Sequence, residues 1–129
     1  MTLRKVYAHL SCSDLDESIR WFSAIFNRGP DARPMEGLAE WHHQDTAGFQ
    51  LFQNAEDAGH GTLTLIVGEL EAERERLDGG GLSPGDVEAA SYVKLIRLRD
   101  PDKNLVVLAQ EIDQPESEAA MPVAGFAGP

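Results

Sequence analysis

Nothing in this chain is long and apolar enough to cross a bilayer: runs such as Leu63-Thr64-Leu65-Ile66-Val67 fall far short of the roughly 20 residues a helical span requires. Cysteine is nearly missing. The single Cys12 excludes an internal disulfide and accords with a reducing cytoplasm. Set in an apolar alternation, it reads as a buried structural thiol and not as a nucleophile. Basic residues are scarce, 11 Lys and Arg against 22 Asp and Glu, for a formal net charge of -11. That field repels a phosphate backbone and no basic patch offsets it, so nucleic acid is not an expected partner, nor is a membrane. The start, Met1-Thr2-Leu3-Arg4-Lys5, is positively charged but leads into His9, Ser11 and Ser13 in place of an unbroken apolar stretch, and reads as no export signal.

What remains is one globular domain's worth of sequence, 129 residues of which 42% are hydrophobic, and a single core is expected. Val6, Ala8, Leu10 and Cys12 alternate with Tyr7, His9 and Ser11, the period-2 pattern of a half-buried strand. Ser13 stands three residues before Asp16 in an acidic variant of the capping box, and Asp14, Asp16 and Glu17 load the first turn where the helix dipole favours negative charge. Leu15, Ile19, Phe22 and Phe26 then give one apolar stripe, so a helix is expected over residues 14–26, closed by Asn27-Arg28-Gly29-Pro30. Two short strands follow at residues 37–43 and 48–53 across a polar linker of hairpin length, and a breaker-rich loop spans residues 54–61.

The pattern then restarts. Thr62 to Val67 alternates, and a charged helix over residues 69–77 is anchored by Leu70 and Leu77 and stopped by Gly79-Gly80-Gly81. A weak strand at residues 82–88, a stronger one at 91–98, the turn Asp100-Pro101-Asp102-Lys103 and a last strand at 105–110 complete the half. An offset of 55 sets Tyr7 on Thr62, Leu10 on Leu65, Leu15 on Leu70 and Phe22 on Leu77; an offset of 57 lays residues 48–53 on 105–110. A duplicated βαβββ unit accounts for this. From residue 111 onward the chain has four acids, no base and three prolines, and reads as an acidic tail, mobile or strapped to the surface.

A strand entering Ser13-Asp14-Leu15-Asp16-Glu17-Ser18, the aromatic pair Trp21-Phe22, a weaker echo at Gly68-Glu69-Leu70, and Arg99-Asp100-Pro101-Asp102-Lys103-Asn104-Leu105 before the final strand resemble the vicinal oxygen chelate superfamily. This is the glyoxalase, bleomycin-resistance and extradiol-dioxygenase group. The resemblance covers about residues 3–110 and implies an α+β fold, a single domain of two βαβββ modules (about 3–56 and 60–110) whose sheets form a cup with the helices outside, usually assembled as a homodimer. Lys103 replaces the glycine usual in that turn, so a left-handed backbone there would have to be absorbed by Asn104 or by another turn type.

Relatives that do chemistry hold a divalent metal at four places, which motif alignment puts at Tyr7, Gln50, Thr62 and Val107. None is His or a carboxylate, and Val107 has no lone pair, so no metal cofactor is expected. The rescue reading makes His9 a ligand with His42 or His43, but those two are adjacent on a strand and point to opposite faces. His60 reads as a solvated loop residue. His9 is expected as an imidazole hydrogen-bonded in the cup, ahead of a catalytic role. Tyr7 offers a phenol to a ligand or fills the floor; Trp41 stacks on a flat ligand or packs; Lys94 binds an anion or is a solvated strand-edge lysine. The expected function is binding of a small apolar or aromatic molecule, without metal, by Tyr7, His9, Trp41, Gln50, Phe52, Thr62, Thr64 and Val107 in a cytoplasmic homodimer. The alternative is an enzyme, a lyase, isomerase or dioxygenase, with His9 as general base or metal ligand.

Overall fold

The computed structural model describes residues 1–113. Its elements are β1 (Val6–Cys12), α1 (Leu15–Phe26), β2 (Leu38–His43), β3 (Ala47–Gln53), β4 (Thr62–Ile66), α2 (Leu70–Gly79), β5 (Glu88–Ala89), β6 (Val93–Arg99) and β7 (Leu105–Glu111). The fold is α+β, with one sheet ordered β1-β3-β2 and another β4-β7-β6-β5. Among the described residues no helix is long and apolar enough to cross a membrane. Two compact units emerge, residues 1–63 with 99–106, and residues 64–98 with 107–113 of those described. The last strand runs one residue past the expected start of the tail, and the reading of residues 114–129 lies outside the described residues.

In the first unit β1 runs parallel to β3 and β2 antiparallel to it. One face of this sheet is covered by α1. Phe22 of the helix meets Phe49 of β3 at 4.9 Å between ring centroids, Phe26 stacks on Trp41 at 5.5 Å, and Trp41 meets Phe49 at 5.8 Å. Burying each ring contributes roughly 2–3 kcal/mol, so this aromatic layer dominates the adhesion of α1. The helix starts at Asp14, whose Oδ1 accepts the Glu17 N–H at 3.1 Å from an extended backbone. Ser13, expected as the cap, is turned away: its N–H donates to Asp102 Oδ2 at 3.1 Å and its hydroxyl to Asp102 Oδ1. The helix ends at Asn27, left-handed at φ 58°, two residues ahead of the glycine expected to stop it.

The polar turn before β7 explains that exchange of partners. Asp100 is buried and accepts the N–H groups of Asp102 at 2.9 Å and Asn104 at 2.8 Å. Asn104, also buried, donates to Ser11 O at 3.0 Å while its Oδ1 accepts from Gly59 and Gly61 at 3.1 and 2.9 Å. The turn therefore ties the end of β1 to the loop before β4, which makes the Asp-Pro-Asp-x-Asn run a structural clamp. Lys103 itself takes the left-handed conformation at φ 76°, and Asn104 is not required to absorb it.

In the second unit α2 buries Leu70 and Leu77 and is otherwise charged. The strand expected at residues 82–88 is reduced to Glu88–Ala89, paired antiparallel with β6 through Glu88↔Leu95. The corresponding strand of the first half is reduced further, to the single bridge Ala32↔Glu40. Gly and Pro throughout residues 79–85 leave too little β-forming sequence for more.

Candidate functional site

The face of the first unit's sheet opposite α1 carries a polar and aromatic cluster built by strand register. His9 lies opposite Gln50, and Gln50 opposite Glu40, so one row crosses β1, β3 and β2. The next row is Tyr7, Gly48 and His42. Gly48 is required there, because a Cβ would stand 2.6 Å from Cε1 of Tyr7. Its absence lets the tyrosine ring lie across β3 and reach a carboxylate on β2.

That carboxylate is Glu40, only 7% exposed. Its Oε1 accepts from the Tyr7 hydroxyl at 3.3 Å and from His42 Nε2 at 2.9 Å, and its Oε2 accepts from Gln50 Nε2 at 2.8 Å. Gln50 Oε1 in turn meets His9 Nδ1 at 3.3 Å. Burial pushes the Glu40 carboxyl upward, but the hydrogen bonds from His42, Gln50 and Tyr7 outweigh it and hold the group below the usual carboxylate range. The backbone beneath is fixed from outside the sheet: Asp31 N and Ala32 N donate to Glu40 O at 2.7 and 3.3 Å, and Arg28 donates to His42 O at 2.6 Å. At the other end of the row the His9 ring sits 6.2 Å from Phe52 and is exposed.

The structure thus brings together Tyr7, His9, Gln50 and Phe52 of the expected residues, and adds Glu40 and His42. Trp41 is corrected. It is 2% exposed, packs against Phe22, Phe26 and Phe49, and donates its Nε1–H to Arg28 O at 3.0 Å. Strand parity puts it on the face of the sheet opposite to Glu40, where it has no surface for a ligand. Thr62 is exposed on β4, as is Thr64 in the second unit; Val107 of that unit is 9% exposed, a core residue. Lys94 is committed to Glu71, with Nζ 2.8 Å from both carboxylate oxygens. His43 and His60 are exposed and stand apart from the cluster's hydrogen bonds. Cys12 is fully buried, and desolvation pushes its thiol up to about 11.

The donor set does not suit a resident divalent ion. Glu40 is the one carboxylate of the cluster, and each of its oxygens already accepts a hydrogen bond from the protein. Among the described residues no three His, Cys, Asp or Glu side chains are grouped to hold a metal.

No family model and no curated protein matches the sequence. Solved structures do match. A glyoxalase/bleomycin resistance protein from Catenulispora acidiphila superposes with a TM-score of 0.74 at 23% identity, covering 83% of this chain and 97% of that one. TnmS3, an antibiotic binding protein from Streptomyces, gives 0.72 at 16% identity over 83% of this chain and 94% of its own. Lactoylglutathione lyase from Agrobacterium tumefaciens gives 0.68 at 15% identity over 81% and 91%.

Proposed function

We propose that this chain, which has the glyoxalase and bleomycin-resistance fold of the vicinal oxygen chelate superfamily, binds a small, largely apolar or aromatic molecule without a resident metal. The observation that carries the reading is the state of Glu40. A carboxylate held by donors from Tyr7, His42 and Gln50 is a scaffold group, its charge already engaged by protein hydrogen bonds. What the face offers outward is the His9 ring, the neighbouring Phe52 and part of Tyr7. Apolar and aromatic side chains with a few oriented polar atoms are the usual lining of a small-molecule site. TnmS3, similar in fold, is an antibiotic binding protein, which supports binding as a sufficient role for such a scaffold. A homodimer of the kind the resemblance implies is part of this reading.

A second reading makes the chain an enzyme with His9 as general base, and the exposed imidazole held by Gln50 favours it. Metal analysis and ligand screening separate the outcomes. After dialysis the protein should carry well under one metal ion per chain by elemental analysis. A screen of flat aromatic compounds should raise Tm for at least one: at a hundredfold excess over Kd the gain is about 2.7 kcal/mol, or about 10 °C for a domain of this size. One tightly held transition ion per chain, or a screen in which nothing shifts Tm, would sink the proposal. Product formation from a binder, abolished in His9→Phe, would favour the enzyme.

A further inference from the structure

We propose that Glu40 and Gln50 hold His9 in one tautomer, with the proton on Nδ1 and the lone pair on Nε2, so that this face selects uncharged aromatic ligands that donate an O–H or N–H over those that only accept. The inference rests on the ligand-binding reading above and specifies the chemical class of its ligand.

The argument is one of hydrogen-bond polarity passed along the row. An ionised carboxylate only accepts, and Glu40 is held below the usual carboxylate range by the donors around it once burial has been outweighed. Its neighbour Gln50 must therefore turn its NH2 toward Glu40, at 2.8 Å, and this fixes the amide's other end. Gln50 Oε1 is left facing His9 Nδ1 at 3.3 Å. An amide oxygen only accepts, so the hydrogen on this pair belongs to Nδ1. A neutral imidazole with a proton on Nδ1 keeps its lone pair on Nε2. His9 is exposed, and no hydrogen bond engages Nε2 among the described residues. The group it can satisfy is a donor on a ligand, and the adjoining Phe52 ring, 6.2 Å away, supplies an apolar flank suited to an aromatic body. A net charge of -11 disfavours an anionic ligand.

The same polarity argument predicts an inversion. Oε1 of Glu40 receives two donors, Tyr7 and His42, and Oε2 receives one, Gln50. In Glu40→Gln the remaining oxygen stays with the two donors, and the new NH2 faces Gln50. Gln50 must then present its oxygen to residue 40 and its NH2 to His9. That drives the histidine proton to Nε2 and turns the site from acceptor to donor.

The test combines 15N NMR of the imidazole with binding of 2-naphthol and its methyl ether, 2-methoxynaphthalene, which share a ring system but differ in the O–H. In mildly alkaline buffer, where free imidazole is neutral, wild-type His9 should show a pyridine-like Nε2 and a pyrrole-like Nδ1, and 2-naphthol should bind about tenfold tighter than the ether. Glu40→Gln should exchange the two 15N signatures and erase or reverse the ratio. Gln50→Leu, which removes the relay together with the donor on Glu40 Oε2, should leave a mixture of tautomers and shrink the preference. Wild-type His9 protonated on Nε2 overturns the inference whatever binds. Equal affinities overturn it while leaving the binding reading intact. Binding of neither compound, nor of any other aromatic tested, overturns both.

Discussion

The two halves of this chain share a mechanical device and differ in what they display. In the first, the N–H of Leu15 at the start of α1 donates to Gln53 Oε1 at the end of β3, at 3.0 Å; in the second, Leu70 at the start of α2 donates to Gln110 Oε1 at the end of β7, at 2.7 Å. The pairs are those that the 55- and 57-residue offsets align, and the bridges Ala32↔Glu40 and Glu88↔Leu95 correspond at offsets of 56 and 55. The side chains differ. Where the first half has Tyr7, His9, Glu40 and Gln50, the second has Thr62, Thr64, Leu95 and Val107. The scaffold contact is present in both halves, while the polar network belongs to the first.

The largest test of this contrast lies under the helices. Phe22 and Leu77 occupy equivalent, fully buried places, but Phe22 meets Trp21, Phe26, Trp41 and Phe49. Phe22→Ala should cost about 4 kcal/mol and Leu77→Ala about 3 kcal/mol, read as shifts in urea midpoint at constant m. If Leu77→Ala proves clearly the more damaging, the aromatic layer is not what holds α1 down.

Much of this was legible beforehand. The stripe of α1 and the repeat offsets follow from residue type and period, and the alternation puts Tyr7, His9, Gln50 and Phe52 on one face; the burial it predicts along β1 holds at Leu10 and Cys12 but not at Val6 and Ala8, which are exposed. Glu40 was missed and Trp41 misplaced for one reason. In Leu38-Ala39-Glu40-Trp41-His42-His43 the two bulky apolar residues fall on opposite faces, so hydropathy alone gives no parity. The hairpin loop would have supplied it. Three residues, 44–46, with Gln44 left-handed at φ 53°, pair His43 with Ala47 and so set Glu40 opposite Gln50. Nothing in composition fixes a loop at three residues when four were equally plausible. Residues 28–36 were opaque for a similar reason: their order comes from Asp31 and Ala32 bonding the Glu40 backbone, a contact between segments.

A middle-sized effect concerns the two buried acids of the first unit. For Glu40 the folded carboxyl sits below its ordinary value, so its stabilisation is full above the unfolded pKa and disappears as pH falls through the folded one. Asp100 has the opposite sign. Desolvation raises its carboxyl despite the hydrogen bonds from Asn104 and Asp102, so the folded state gains relative stability as pH falls through that raised value. Urea midpoints followed from about pH 7 to about pH 3 should therefore fall less steeply in Glu40→Gln than in the wild type, and more steeply in Asp100→Asn. Parallel curves for all three proteins would show that neither carboxyl differs between folded and unfolded chains.

The smallest effect sharpens the comparison most, because it isolates the shared device. α1 has two satisfied first-turn donors, one on Asp14 and one on Gln53, whereas Glu69 makes no side-chain cap and leaves α2 dependent on Gln110. Removing an N-terminal acceptor costs about 1 kcal/mol on average, and the loss is felt more where no second acceptor remains and the N–H belongs to a fully buried residue such as Leu70. Gln110→Ala should thus cost about 1.5 kcal/mol and Gln53→Ala about 0.5 kcal/mol. Native-state hydrogen exchange at the first-turn amides should show protection falling at Leu70 and its neighbours in the first variant, with a smaller fall at Leu15 in the second. Equal losses would mean that the acidic first turn of α2, with Glu71 and Glu73 beside the helix dipole, already compensates for the missing cap.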